Sequence, residues 1–105
     1  MDMMKFTSTM LEVIEHCAEE AKVDVGFREV CVGDMRDAHD LLTRKLARES
    51  THPEVQAKSV LITMALDNNI SALQQSIADR APDIQIAEKL ETILALTRHL
   101  RAANG

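Results

Sequence analysis

Apolar side chains recur along this chain every three or four residues, which is the spacing of one face of an α-helix. The first such segment runs from about Thr7 or Ser8 to Ala21, and the hydroxyl group at its start can cap an unpaired backbone N–H. Its inner face consists of Met10, Leu11, Ile14, Cys17, Ala18 and Ala21. Because the alternation of a β-strand is not sustained anywhere, the pattern predicts an all-α protein.

The second periodic segment begins at Val25 or Phe27 and ends at Arg48. Its inner face consists of Phe27, Cys31, Met35, Ala38, Leu42 and Leu46. Gly33 lies inside this segment, where glycine costs about 1 kcal/mol relative to alanine. We therefore expect a kink, a close approach of another helix, or a break at which Asp34 caps a new helix.

The third segment begins after Thr51, which with Glu54 forms a capping box, and Pro53 suits its first turn. It continues to about Asp79, and Pro82 or Asp83 opens a fourth helix. The inner face of the fourth helix consists of Ile86, Leu90, Ile93, Leu94, Thr97 and Leu100. Short connections favour antiparallel neighbours. We predict one helical domain over residues 1–105, a four-helix antiparallel bundle with a short first helix and a long central third helix.

The third helix carries two apolar stripes. The first consists of Val55, Ile62, Leu66, Ile70, Leu73 and Ile77, and the second of Ala57, Leu61, Met64, Ala65 and Ala72. A helix that is apolar on two sides must be covered on two sides, either as the centre of its own bundle or by another chain. We predict a homodimer with Leu61, Met64, Ala65 and Ala72 at the contact. Asn68 is expected at a stripe edge in water, and the environment of Asn69 stays open.

Composition restricts the partners. Aromatic residues are 2% of the chain and the net charge is −5, so base stacking and attraction to phosphate are both weak. Nucleic acid is therefore disfavoured, although Arg44, Arg48 and Lys58 could form a basic contact surface. No signal peptide and no membrane-spanning apolar run occurs, and we expect a cytoplasmic protein with reduced thiols and no membrane partner.

Candidate reactive residues are few. Cys17 and Cys31 fall on apolar helix faces, where a thiol acts as a small core side chain. None of the histidines is paired with another histidine or a cysteine at helical spacing, so we expect solvated or flanking positions for His16, His39, His52 and His99. The sequence predicts no metal site, no cofactor and no catalytic residue.

Two carboxylate pairs support an alternative function. Glu12 and Glu15 are followed by Asp34 and Asp37, each pair three residues apart. This layout resembles the all-α nucleotide pyrophosphohydrolases of the MazG type, in which Glu-x-x-Glu and Glu-x-x-Asp hold Mg²⁺ inside a helical bundle. The resemblance covers these four residues and lacks the Glu-Glu-x-Gly-Glu-Leu context of that family. Helical periodicity also places Glu12 and Glu15 opposite the apolar stripe of their helix.

We interpret the chain as a small, non-catalytic helical interaction module of the adaptor, assembly or secretion chaperone, or anti-activator type. Such a module recognises a helix of its partner in a groove. The alternative is a metal-dependent nucleotide hydrolase of the all-α pyrophosphohydrolase type, using the four carboxylates.

Overall fold

The computed structural model describes residues 3–49 and 53–104. Over these residues the chain folds into four α-helices, with no strand. Helix α1 spans Met3–Val23, α2 spans Arg28–Glu49, α3 spans Pro53–Ala78 and α4 spans Asp83–Asn104. A 3₁₀ turn, Val25–Phe27, connects α1 to α2. The prediction of an all-α fold is confirmed.

The first helix is longer than predicted. It begins at Met3 rather than at Thr7 or Ser8, because no proline or glycine stops it and Phe6 packs against the core. Thr7 is therefore inside the helix, where it is buried, and does not cap it. Helix α1 has 21 residues, and α2, α3 and α4 have 22, 26 and 22, so the predicted contrast between a short first and a long third helix is reduced to five residues.

The third helix is not central. Helix α1 packs against α2 and α4, α3 packs against the same two helices, and within the described ranges α1 and α3 do not meet. Each helix therefore has two helical neighbours and points one face at a shared core. The helices form an elongated body of 43 × 20 × 20 Å.

The core is aliphatic and receives side chains from all four helices. Its largest fully buried apolar side chains are Leu11, Ile14, Met35, Leu42, Leu66, Ile70, Leu73, Leu90, Ile93 and Leu94. The predicted inner face of α4 is confirmed, and so is the part of the first α3 stripe from Ile62 to Ile77. The capping residue Thr51 lies outside the described residues, as does His52, and so do the side chains of Glu54 and Val55.

The first part of α2 differs from the expectations at Phe27 and at Gly33. Phe27 was expected in the core, but it lies in the 3₁₀ turn with 61% of its surface exposed, and Arg28 is buried instead. Helix α2 continues through Gly33 without a break at Asp34. A Cβ atom placed on Gly33 would meet nothing within 4 Å, so no helix approaches closely there either.

The end of α3 is closed by backbone hydrogen bonds that the sequence did not signal. Arg80 has a φ of 55°, the left-handed conformation that usually requires glycine at a helix C-terminus. Its N–H donates to Ile77 O at 3.1 Å, and the N–H of Ala81 donates to Ser76 O at 2.9 Å. This is the Schellman pattern, and it turns the chain towards α4.

Candidate interaction surface

The second stripe of α3 lies on the outside of the chain. Leu61 is 70% exposed, Met64 58% and Val60 51%. Ala65 is half-buried and Ala72 is exposed. The other helices of the same chain therefore do not cover Leu61 and Met64. We call Val60, Leu61, Met64, Ala65 and Ala72 the outer face of α3.

The outer face is almost free of charge. Between residues 57 and 72 the charged residues are Lys58 and Asp67, and Asp67 accepts a hydrogen bond from Arg36 at 2.7 Å. Asn68 is exposed, as predicted. The amide of Asn69 donates to Ala65 O at 2.7 Å, so its own helix supplies a partner and answers the question left open by the sequence.

A polar seam joins α2 to α3 beside this face. Arg36 is its centre: it donates to Asp67, to Ser71 at 2.8 Å and to Gln74 at 3.2 Å. Arg36 is not among the candidate residues that the sequence pattern indicates. The available signal was the polar stripe of α3, in which Asp67, Ser71 and Gln74 recur at helical spacing and need a partner on another helix.

His39 belongs to the same seam and is buried, so the solvated position, one of the two predicted for it, is wrong. Its Nε2 lies 3.0 Å from Thr63 O. Because a carbonyl oxygen can only accept a hydrogen bond, Nε2 carries the proton in this arrangement. Nδ1 is then free of a proton and accepts a hydrogen bond from Arg36 Nη1 at 3.4 Å. Polar partners on both ring nitrogens explain how an imidazole is accommodated inside the bundle.

The four acids of the alternative function take up different surroundings. Glu15 faces α4, where it accepts from Arg98 Nε at 2.9 Å and also pairs with Arg101. Glu12, Asp34 and Asp37 are exposed. Among the described residues, no three His, Cys, Asp or Glu side chains are grouped closely enough to hold one metal ion.

Both thiols are free and buried, as predicted. Burial raises the pKa of Cys17 to about 11, and the nearby carboxylate of Asp34 contributes to the same increase. Burial also raises the pKa of Cys31, with Glu20 as the next cause. Because the thiolate is the nucleophile, neither cysteine is activated for catalysis near neutral pH.

Two of the three basic residues named from the sequence lie on the described surface of α2. Arg44 and Arg48 are exposed near the end of α2, and Arg44 Nε donates to Asp40 O at 3.4 Å. The side chain of Lys58 lies outside the described residues. Within the described part of the chain, no helix combines the length and apolar character needed to cross a membrane.

Comparison with known proteins adds no relative. No protein-family profile, no curated protein and no solved structure matches this chain.

Proposed function

We propose that this chain is a small, non-catalytic helical interaction module that forms a homodimer through the outer face of α3. The observation that carries the proposal is the exposure of Leu61 and Met64, at 70% and 58%. Burying an exposed leucine side chain is favourable by about 1.5–3 kcal/mol of free energy. Contiguous exposed apolar surface is typical of interaction sites.

A second copy of the chain fits this face better than a charged partner does. In a two-fold dimer the same residues meet from both sides, so a face with little charge complements itself. Over the rest of the surface, the net charge of −5 makes two copies of the chain repel each other. Helix α3 has 26 residues and is therefore about 39 Å long. Ala65 and Ala72 are seven residues apart, and their small side chains allow two such helices to approach each other closely.

The proposal includes the antiparallel order of neighbouring helices. Ion pairs between α1 and α4 support it: Glu15 pairs with Arg98, whereas Lys22, further along α1, pairs with Glu91, which is earlier in α4. Between α2 and α3 the order is also reversed, since Arg36 contacts Asp67 and the later His39 contacts the earlier Thr63.

The alternative hydrolase receives no support from the geometry. Mg²⁺ needs several oxygen ligands directed at one point, whereas Glu15 is held between two arginines of α4. Both cysteines are free thiols, which suits a reducing compartment. We therefore propose that the module is located in the cytoplasm.

The test is the mass of the protein in solution. Light scattering of the wild type at micromolar concentration should give twice the chain mass of 11.7 kDa. Leu61→Glu combined with Met64→Lys should give a folded monomer, because both side chains are exposed in the single chain. Ile84→Glu is the matched control, since Ile84 on α4 is equally exposed at 70%, and it should stay dimeric.

Three results would contradict the homodimer. The first is a wild-type mass of 11.7 kDa. The second is a double variant that remains dimeric while circular dichroism shows it to be helical. The third is a double variant that unfolds, which would place Leu61 and Met64 inside the core of the chain.

A further inference from the structure

A cavity of about 420 Å³ lies where α1 turns into α2, away from the outer face of α3. It is lined by Glu20, Val23, Asp24, Phe27, Val30, Cys31 and Asp34. We call it the corner cavity. It shares no residue with the outer face of α3, so the two surfaces can be tested independently.

The apolar wall of the corner cavity is exposed to solvent. Val23 is 87% exposed, Phe27 61% and Val30 60%. Phe27 is one of only two aromatic residues in the chain, and the fold keeps it out of the core. Aromatic side chains are enriched where proteins bind one another, so its position favours a binding role.

The polar part of the corner cavity is acidic. Glu20, Asp24 and Asp34 surround the thiol of Cys31, and after burial these three carboxylates are what raise its pKa. No lysine or arginine lines the cavity. Neither Asp24 nor Asp34 forms a salt bridge within the described part of the chain, and Glu20 pairs with His16 at 3.1 Å.

We propose that the corner cavity binds a basic amphipathic segment of another protein. An apolar side chain of the partner packs among Val23, Phe27 and Val30. Lysine or arginine side chains beside it pair with the carboxylates of the rim. Opposite charge gives such a contact its specificity and its rate of association, and an uncharged apolar ligand would leave the rim unused.

The probe is an amphipathic helical peptide of roughly 15 residues, the length at which isolated helices become stable. It is built from leucine and lysine, and a peptide with the same pattern of leucine and glutamate is its control. Fluorescence anisotropy measures the affinity. Amide chemical shifts over residues 20–34 locate the peptide on the protein. We expect the lysine peptide to bind there and the glutamate peptide not to bind.

Two double variants with the same net charge distinguish binding at the corner cavity from general attraction between the acidic protein and the basic peptide. Asp24→Asn with Asp34→Asn removes two charges from the rim. Asp24 makes no side-chain capping hydrogen bond, so its loss does not cost a cap. Glu12→Gln with Asp37→Asn removes two exposed charges elsewhere. We expect the rim variant to bind the lysine peptide about tenfold more weakly and the control variant to bind it like the wild type.

Phe27→Ser tests the apolar wall, and because Phe27 is exposed the variant should fold normally. We expect it to weaken binding of the lysine peptide by about tenfold. The proposal is overturned by an equal loss in the rim and control variants, by unchanged binding to Phe27→Ser, or by no binding of the lysine peptide. Chemical shift changes confined to the outer face of α3 would overturn it as well.

Discussion

Arg36 on α2 donates a hydrogen bond of 2.7 Å to Asp67 on α3, across the seam between the two helices. The same guanidinium also reaches Ser71 and Gln74, so one side chain of α2 contacts three positions on successive turns of α3. This geometry sets how α3 is rotated relative to α2. It thereby helps to turn Leu61 and Met64 outwards.

Replacing Arg36 with methionine should lower the free energy of unfolding by about 1–3 kcal/mol, because charge-assisted hydrogen bonds are lost while the apolar stem is kept. Urea unfolding followed by circular dichroism measures the change. Arg44→Met is the control, since Arg44 is exposed, and it should change stability by less than about 0.5 kcal/mol. Equal losses in the two variants would show that the seam contributes nothing specific.

Arg28 connects three helices. Its side chain is 8% exposed; Nε donates to Ala21 O at 3.1 Å and Nη1 pairs with Asp83 at 3.3 Å. The compact ammonium group of lysine cannot donate to both partners in the geometry of the planar guanidinium. Arg28→Lys should therefore destabilise the fold by about 1–3 kcal/mol in urea unfolding.

Asp83→Asn distinguishes the two contacts of Arg28. The side chain of Asp83 is 78% exposed, and such surface pairs contribute less than about 1 kcal/mol. We therefore expect the hydrogen bond to Ala21 O to be the larger contribution of Arg28. If Asp83→Asn lowered the free energy of unfolding as much as Arg28→Lys does, this expectation would be wrong.

Gly33→Ala should stabilise the protein by about 0.5–1 kcal/mol, because alanine restricts the unfolded chain and suits a helix interior. The added Cβ atom meets nothing within 4 Å. Thermal unfolding is a sufficient measurement. The reciprocal control is Ala47→Gly, at an exposed position of the same helix. This variant should be less stable than the wild type by a similar amount. A destabilised Gly33→Ala would mean that α2 needs flexibility at this point.

Arg80→Gly should also stabilise the protein, by about 0.5–1 kcal/mol, because glycine adopts a positive φ without steric cost. Thermal unfolding again measures the effect. Asp79→Gly is the neighbouring control and should bring no gain, since only Arg80 among the described non-glycine residues has a positive φ. If both variants were equally stable, the strain assigned to Arg80 would be absent.

Stability should fall at alkaline pH because of the thiols. The pKa of Cys17 is raised from 9.0 to about 11 in the folded chain. A group with a raised pKa binds its proton more tightly when folded, so its contribution is complete below pH 9 and is lost as the pH rises towards 11. Urea unfolding at intervals across this range should show the decline, and Cys17→Ala should make it shallower. An identical decline in Cys17→Ala would assign the effect to other groups.

Much of the fold could be predicted from periodicity. The inner face of α4, the part of the first α3 stripe from Ile62 to Ile77 and the buried cysteines all lie where the spacing of apolar residues places them. The positions of Phe27, Thr7 and His39 do not follow from residue type alone, and there are two reasons. Residue type indicates a preference for core or solvent, but a helix end that shifts by a few residues, or a partner on another helix, can override it.

The candidate surfaces were only partly predictable. The apolar outer residues of α3 are visible as a second stripe, so Leu61 and Met64 could be named from the sequence. The corner cavity could not be named, because Val23 and Asp34 are separated by a turn whose path depends on Arg28 reaching Ala21 O.

By itself, the sequence determined the helical class, the number of helices and the face that each helix turns inwards, since these follow from local spacing and short connections. Only the tertiary structure decided which helices are neighbours, that Arg36 and His39 form the seam, and that Glu15 belongs to an ion-pair network. The physical reason is that hydrophobic burial is non-directional and can be read from one helix at a time. Hydrogen bonds and ion pairs, in contrast, require a donor atom on one helix and an acceptor atom on another to lie within about 3 Å of each other.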